Sequence, residues 1–215
     1  MPFDSLNLAL EGDDDPEVVA QNLRMVLDDF APGDRLADLH QVHGAEVDVV
    51  EDRPMPKRPD ADGLVTDRAG VVLMVRAADC VPVLLADADA AVIGAAHCGR
   101  PGLAAGVVPA TVGRMRDLGA RSITAWIGPH VCGACYEVPE SMQASVGAAV
   151  PASVATTSWG TPSLDLGAGV RAQLAGEGVS VHDVSRCTRE SEDLYSYRRD
   201  GDRAGRLAGL IRLRP

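Results

Sequence analysis

Short apolar runs separated by acidic breaks dominate the middle of the chain. Three such runs, rich in β-branched and small side chains, cover residues 71–75, 81–86 and 90–96. Runs of this length and composition are typical of buried β-strands. Three adjacent strands bring their ends into one place. The sequence puts Asp79, Cys80 and His97 at or beside those ends, so we expect an acid, a thiol and an imidazole to lie close together.

The segments around this block carry further patterns. Asp15 followed by Pro16 is a helix-capping signal, and apolar residues at helical spacing extend the predicted helix to about Phe30. A second helix falls within 102–118 and either begins near Pro109 or is kinked there. Further predicted elements are a helix over 165–176, strands over 46–50, 122–127 and 179–184, and a proline-rich loop over 52–62. A turn over 62–67 closes this loop, and we interpret its Asp residues as acceptors for nearby backbone N–H groups.

Composition narrows the class of protein. A length of 215 residues fits one large domain, and an aromatic content of 3% means that Ala, Val and Leu must fill its core. The charges sum to 20 minus 31, or −11, so nucleic acid and anionic membranes are not expected as partners. The N-terminal residues resemble no signal peptide, and five Cys without a repeating framework fit reduced thiols, so we expect a cytoplasmic protein.

The Cys and His residues can have structural roles as well as metal-binding or catalytic ones. A lone Cys80 is most often core packing, and its pairing with His97 is what favours a site. His40 and His43 stand three apart on a polar turn, a spacing that chance alone often produces. Cys132 and Cys135 form a single CxxC without a second pair at zinc-ribbon spacing, so we interpret them as an incidental loop.

A local cluster of aromatic and basic residues lies near the C-terminus. Tyr195, Tyr197, Arg198 and Arg199 occur within five positions of an otherwise acidic chain. Such a cluster can bind phosphate through charge-assisted hydrogen bonds while a Tyr stacks on a base or sugar. A solvated basic face that neutralises nearby acids has the same composition, and spacing alone does not separate the two.

An ordered set of motifs carries a resemblance to a known family. The motifs are Ser5-Leu-Asn-Leu8, Gln41-Val-His-Gly44, Asp60-Ala-Asp-Gly-Leu-Val-Thr-Asp67, Ala78-Asp-Cys-Val-Pro82, Ala96-His97 with Gly102-Leu-Ala-Ala-Gly106, Ile127-Gly-Pro129, Tyr136-Glu-Val138, Cys187-Thr188 and Tyr197-Arg-Arg199. The chain resembles the polyphenol oxidase laccase-domain family, also described as YfiH-type, purine nucleoside phosphorylase-like or peptidoglycan editing factor. The resemblance covers nearly the whole chain.

The resemblance implies a fold and a metal site. It implies one catalytic domain over 1–215 with an α+β fold, layered α/β/β/α with mixed sheets. It also implies one zinc held by His43, Cys80 and His97, with copper the less favoured metal. Three protein ligands leave a fourth position open, which is the pattern of catalytic zinc. Asp79, beside Cys80, is a candidate for orienting a ligand or moving a proton.

The resemblance also implies a reaction. The expected activity is phosphorolysis of adenosine, inosine, guanosine and methylthioadenosine, with adenosine deamination as a second activity, in a monomer or homodimer. Candidate substrate and phosphate residues are Arg100, Tyr195, Arg198 and Arg199. The chain departs from the family pattern at one of these residues: where relatives have Trp-Arg, it has Arg100-Pro101. That change removes a stacking ring and shifts the Arg by one position.

Three other functions stay open. The first is a Cys–His hydrolase or amidase that edits peptidoglycan precursors, with Cys80 as nucleophile and His97 as base. The second is a copper-binding polyphenol oxidase, although five His are too few for a multicopper cluster. The third is a protein that binds a metal or a partner without catalysis.

Overall fold

A computed structural model describes residues 6–51 and 58–214, so part of the predicted 52–62 loop lies outside the described residues. The helices are α1 (Pro16–Phe30), α2 (Arg100–Ala105), α3 (Val107–Asp117), α4 (Glu140–Ala149), α5 (Leu166–Gly176) and α6 (Tyr197–Asp200). The strands are β1 (Arg35–Ala37), β2 (Val47–Val49), β3 (Gly63–Thr66), β4 (Val71–Ala77), β5 (Val81–Asp87), β6 (Val92–Cys98), β7 (Thr124–Ile127), β8 (Val154–Thr156), β9 (Pro162–Leu164), β10 (Ser180–Asp183) and β11 (Leu207–Arg212).

Two mixed sheets form the body of the protein. The larger has the order β10-β7-β5-β6-β3-β2, with parallel pairs at both edges and antiparallel pairs in the centre. The smaller has the order β1-β4-β11, parallel on one side of β4 and antiparallel on the other. β8 and β9 form a separate hairpin.

Small aliphatic side chains fill two hydrophobic clusters, one on each face of the larger sheet. Between the sheets, Leu64 and Ile93 of the larger pack with Leu73 and Val75 of the smaller. On the opposite face, side chains from α3 and α5 cover β5, β6 and β7. α1 lies on the side of the smaller sheet, where Arg212 of β11 stacks over Phe30. This order of helices, sheet, sheet and helix confirms the predicted α+β fold with mixed sheets.

The three apolar runs form strands, but they do not lie side by side as expected. β5 and β6 are hydrogen-bonded neighbours, whereas β4 pairs with β1 and β11 in the other sheet. The Ala78–Cys80 connection therefore crosses from one sheet to the other instead of closing a hairpin. The apolar pattern could not reveal this, because a strand buried on both faces looks the same in either sheet.

Helix boundaries follow local chemistry. Asp15 caps α1 by accepting a hydrogen bond from the Glu17 N–H, as predicted, and Asp165 caps α5 through the Ala168 N–H. The break in 102–118 falls at Gly106, whose φ of 83° is left-handed, and not at Pro109, which sits in the first turn of α3. Within the described residues, none of the helices has the length and apolar character needed to cross a bilayer.

Candidate active site and metal centre

The three predicted ligands meet at one end of the two sheets. His43 lies in the turn before β2, Cys80 in the connection from β4 to β5, and His97 near the end of β6. Their ligand atoms all lie within 4.8 Å of one another, and Cys80 Sγ is 3.8 Å from His43 Nε2. The two imidazole rings meet edge to face with centroids 4.8 Å apart. One ion can therefore contact all three side chains.

Asp62 holds two of these ligands in place. One carboxylate oxygen is 2.7 Å from His97 Nδ1 and also accepts a hydrogen bond from the His43 backbone N–H, at 3.0 Å. The other oxygen accepts from the N–H groups of Val42 and Gly44, at 3.1 and 2.6 Å. These bonds fix the turn in which His43 has a left-handed φ of 60°, a conformation that non-glycine residues adopt only when held. The bond to Nδ1 leaves His97 Nε2 free to bind an ion.

The sequence interpretation missed the role of Asp62. Its position in the Asp60–Asp67 motif suggested turn chemistry, and Asp62 does bond a turn. The structure adds the His97 contact, which joins residues 35 positions apart. The motif itself was the available sequence signal. In the structure, Asp62 is the fully buried acid of this motif, whereas Asp60 and Asp67 are exposed.

Gly99 makes room for the ligands. A Cβ at this position would lie 2.6 Å from His43 Cδ2 and 3.1 Å from Cys80 Sγ, closer than unstrained contacts allow. Any larger residue would displace one ligand or the other. The neighbouring Cys98 is fully buried, and burial raises the pKa of its thiol, so Cys98 stays protonated and does not compete as a ligand.

The charges of these groups are coupled. Burial by itself raises the pKa of Cys80, but the charge of His97 and hydrogen bonds from His43 and His97 outweigh it and lower the pKa to about 6. Burial lowers the pKa of His97, whereas the Cys80 thiolate and Asp62 raise it, with a net value of about 9. Without a metal, the site therefore holds a thiolate and an imidazolium at neutral pH.

The donor set fits a single soft or borderline metal ion. Two imidazoles and a thiolate suit zinc, and three protein ligands leave the fourth position of a tetrahedral ion open. The same donors also accept copper. A multicopper cluster does not fit, because only two of the five His in the chain lie in this group.

Asp79, the predicted acid, lines the cavity but bonds the C-terminal segment. One carboxylate oxygen accepts a hydrogen bond from Thr188 Oγ1 and the other from the Arg198 backbone N–H, both at 2.6 Å. Asp79 is buried and has a left-handed φ of 89°. Its carboxylate therefore positions the C-terminal segment, and it is Asp62 that contacts a predicted ligand.

A cavity of about 880 Å³ opens in front of the three ligands. That volume is within the range for small-molecule sites. Among the described residues, five arginines line it: Arg58, Arg76, Arg100, Arg198 and Arg206. Tyr136 and Tyr197 add aromatic surface. In a chain of net charge −11, this concentration of cations forms a local anion-binding environment.

The predicted substrate residues divide into two groups. Arg100 and Arg198 line the cavity, and the Arg198 guanidinium lies 4.4 Å from the centre of the Tyr136 ring. Arg199 instead donates to the carbonyl oxygens of Thr188, Ser191 and Leu194. Arg199 is not among the residues that line the cavity, so we correct its assignment from phosphate binding to a structural contact.

Tyr195 likewise is not among the residues that line the cavity. Its ring packs so closely on Gly205 that a Cβ there would come within 2.6 Å of it. Tyr197, two positions later, is the tyrosine of this segment that lines the cavity. Strand alternation does not explain the difference, because residues two apart on a strand share a face. Tyr195 precedes α6 whereas Tyr197 is its first residue, so the two side chains leave backbones of different conformation.

Arg76 is a cavity residue that sequence reasoning missed. Its Nε donates to the Leu8 carbonyl and its Nη1 to Asp38, at 2.8 and 2.7 Å. Its Nη2 is buried and has no hydrogen-bond partner among the described residues. A buried donor without a partner is costly, and a bound anion would satisfy it. The apolar strand around Arg76 hid it, because one charge within β4 does not disturb the strand pattern.

Comparisons with known proteins agree with this architecture. A family described as multi-copper polyphenol oxidoreductase laccase matches residues 1–214. The chain is 50% identical over 221 residues to a purine nucleoside phosphorylase of Streptomyces coelicolor, covering 98% of this chain and 89% of the relative. It is 36% identical over 217 residues to the purine nucleoside phosphorylase YfiH of Escherichia coli, covering 98% and 87%.

Solved structures give the same result. YlmD from Geobacillus stearothermophilus superposes with a TM-score of 0.88 at 34% identity, covering 100% of this chain and 87% of that one. A Neisseria meningitidis protein also has a TM-score of 0.88, at 33% identity and covering 99% and 88%. The order and layering of the elements are therefore shared with these structures.

Proposed function

The chain belongs to the multi-copper polyphenol oxidoreductase laccase family, and from that premise we propose that it is a metal-dependent purine nucleoside phosphorylase. The observation that carries the proposal is a two-His, one-Cys centre at the base of an arginine-lined cavity. The relatives named purine nucleoside phosphorylase support the reaction class. Adenosine, inosine, guanosine and methylthioadenosine are the proposed substrates, with adenosine deamination as a second activity.

His43, Cys80 and His97 are the proposed ligands, and zinc is the proposed metal. When bound, zinc supplies Lewis acidity at its open position. Asp62 keeps His97 in the tautomer that presents Nε2, and Gly99 leaves room for His43 and Cys80 to converge. Copper is the alternative metal, in keeping with the family description.

The arginines are the proposed phosphate-binding groups. Phosphorolysis places a phosphate dianion beside the sugar carbon while the base leaves, so the site must hold the anion and exclude water. Arg76 offers a buried donor that has no partner within 6–51 and 58–214, and Arg198 is held at the cavity by the bond from its backbone N–H to Asp79. Arg100, at the start of α2, is the third candidate. A guanidinium binds phosphate through two parallel hydrogen bonds.

The aromatic residues are the proposed contacts for the nucleoside. Tyr136 already stacks with Arg198, and Tyr197 lies on the same cavity wall with nearly half its surface exposed. Aromatic faces bind purine rings through stacking. We propose that these rings take the place of the Trp that relatives carry where this chain has Arg100. The protein is proposed to act in the cytoplasm, as a monomer or homodimer.

Product analysis with adenosine tests the reaction. Zinc-loaded protein should release adenine and ribose 1-phosphate only when phosphate is present, and inosine without it. Cys80→Ala should abolish both activities and reduce bound zinc while circular dichroism stays unchanged, because β5 retains its apolar burial. Cys98→Ala is the matched control and should keep both. If Cys80→Ala binds as much zinc as the wild type, the ligands are misassigned.

One specific observation favours a second candidate function, the Cys–His hydrolase. Cys80, His97 and Asp62 stand in the order of nucleophile, base and orienting acid, and the pKa of Cys80 is already low, at about 6. A ligated thiolate is not available for attack, so the two functions differ in their response to metal. Metal-free protein that cleaves a muramyl-amide substrate, and is inhibited by zinc, would establish the hydrolase instead.

A further inference from the structure

A second cluster of metal-binding side chains lies outside the centre described above. It consists of Cys132, Cys135, Cys187 and Glu190, whose ligand atoms all lie within 4.8 Å of one another. The CxxC was interpreted as an incidental loop because no second cysteine pair follows at zinc-ribbon spacing. The structure supplies the missing ligands from a segment more than fifty residues away.

Backbone contacts hold the two segments together. The His130 N–H donates to the Arg186 carbonyl at 3.1 Å, and the Thr188 N–H donates to the His130 carbonyl at 3.0 Å. Across this bridge, the Cys132 N–H points at Cys187 Sγ, 3.5 Å away. Amide groups directed at sulfur stabilise thiolates at metal sites. These backbone contacts therefore hold the thiols of the two segments close together.

The CxxC turn is equally constrained. The N–H groups of Cys135 and Tyr136 both donate to the Cys132 carbonyl, at 3.0 Å each. Gly133 within the turn packs against Asp165 so closely that a Cβ would come within 2.8 Å of the Asp165 Cβ. This tight turn brings the Cys132 and Cys135 side chains to the same side. Cys135 is buried, Cys132 and Cys187 are half-buried, and Glu190 is exposed.

We propose that Cys132, Cys135, Cys187 and Glu190 form a second, structural zinc site. Sulfurs bound to one tetrahedral zinc lie about 3.8 Å apart, so small side-chain rotations close the present spread. Three thiolates exclude magnesium, calcium and manganese, which prefer oxygen. Four protein ligands make a closed site, unlike the open centre at Cys80. Arg189 donates from Nη1 to the Cys135 carbonyl, which adds a side-chain contact between the Cys187–Glu190 segment and the CxxC turn.

The second site is placed to shape the cavity. Tyr136, which follows one ligand, lines the cavity, and Thr188, which follows another, donates to Asp79. Asp79 in turn holds the Arg198 backbone. A metal joining Cys135 to Cys187 would thus tie the two segments that carry Tyr136 and Arg198. This consequence rests on the proposed function, whereas the metal site itself does not.

Metal counting tests the proposal. Protein purified with a reducing agent, loaded with zinc and desalted should carry two zinc ions per chain by native mass spectrometry. Cys187→Ser and Cys80→Ala should each carry one, and the double variant none. Cys98→Ala, which removes a buried thiol outside both clusters, should carry two. A Cys187→Ser protein that still holds two zinc ions would overturn the proposal.

Glu190→Ala covers the case in which Cys187→Ser does not fold. Glu190 is exposed, so its removal should leave the fold intact. It should weaken the second zinc by about tenfold or more, since even partners that only touch ligands contribute that much to affinity. Glu192→Ala, an exposed acid two positions later, is the matched control and should change nothing. Equal zinc affinity in both variants would exclude Glu190 as a ligand.

Cobalt distinguishes this site from a disulfide. Cobalt-loaded wild type should show sulfur-to-cobalt charge transfer from four thiolates, of which Cys80→Ala removes about a quarter. A disulfide among the three cysteines would instead leave one metal per chain and lower the protein mass by two hydrogens. That result would refute the second site without touching the reaction assigned to the first, because phosphorolysis is measured separately in the same preparation.

Discussion

Replacing Asp62 by Asn removes the negative charge of this carboxylate and keeps the shape of the side chain, so the variant measures what the charge contributes. Asp62 accepts four hydrogen bonds, two at each oxygen. Asn keeps one oxygen and turns the other position into a donor that faces two N–H groups. Each buried donor left without an acceptor costs about 1–3 kcal/mol, so two of them should lower the free energy of unfolding by about 2–6 kcal/mol. Zinc affinity should fall by about 10–100-fold, because His97 loses its orienting carboxylate.

Urea unfolding and competition with a chromophoric chelator measure these two effects. Asp60→Asn is the matched control: Asp60 contacts the exposed His40 at 2.7 Å and is itself 75% exposed, so both quantities should stay near wild type.

The comparison of Asp62→Asn with wild type should be repeated across pH. Burial raises the pKa of Asp62, but the bonds from His97 and from the Gly44 and His43 N–H groups together outweigh it, so the pKa is lowered in the folded protein. Its stabilisation is therefore present at neutral pH and lost as the pH falls through the acidic range.

Two results would refute this reasoning. If Asp62→Asn and Asp60→Asn unfold at the same urea concentration, the Asp62 bonds do not stabilise the turn. If Asp62→Asn loses stability but keeps full zinc affinity, the carboxylate holds the fold without orienting His97.

In metal-free protein, the pKa of His97 is raised to about 9. The stabilisation of the fold by protonated His97 should therefore be complete below about pH 6.5 and lost as the pH rises through 9.

Three further predictions concern neighbouring groups. Arg198→Ala should raise the KM for phosphate about tenfold or more in steady-state kinetics, and it should lower stability by about 1 kcal/mol through the lost bond to the Glu137 carbonyl. Arg199→Ala should lower stability by about 1–3 kcal/mol in urea unfolding, because it loses three carbonyl contacts. Gly99→Ala should weaken zinc binding about tenfold or more, while Gly113→Ala, where a Cβ meets nothing within 4 Å, should leave it unchanged in the same chelator competition. In metal-free protein, alkylation of Cys80 by iodoacetamide, located by peptide mass spectrometry, should persist down to about pH 6 and fall below it, and zinc should block it; a midpoint near pH 9 would contradict the lowered pKa.

Local patterns were sufficient for most elements of the fold. The apolar runs predicted β4, β5 and β6, and the Asp15-Pro16 signal predicted the start of α1. These predictions hold because strand burial and helix capping depend on residues close together in the chain. The motif order was sufficient to identify the family. His43, Cys80 and His97 were also named from the sequence, and the structure brings their ligand atoms within 4.8 Å.

Contacts between distant segments could not be read in this way. The side chain that orients His97 belongs to Asp62, which the sequence presented as one acid of a turn. Tyr197 and not Tyr195 lines the cavity, and Arg198 lines it as well, whereas Arg199 donates to three backbone carbonyls of its own segment. Each outcome depends on the direction in which a side chain leaves its backbone, and residue spacing does not specify that direction in an irregular segment.

The two cysteine-containing sites show the same division. Cys80, His43 and His97 each stand in a motif that is recognisable from the sequence. Cys132 and Cys135 form half of a cluster whose other half, Cys187 and Glu190, arrives only because β7 and β10 pair in parallel and continue side by side through the bridge at His130. Ligand type is a property of the residue and is visible in the sequence, whereas convergence of ligands is a property of strand pairing, which the tertiary structure alone decides.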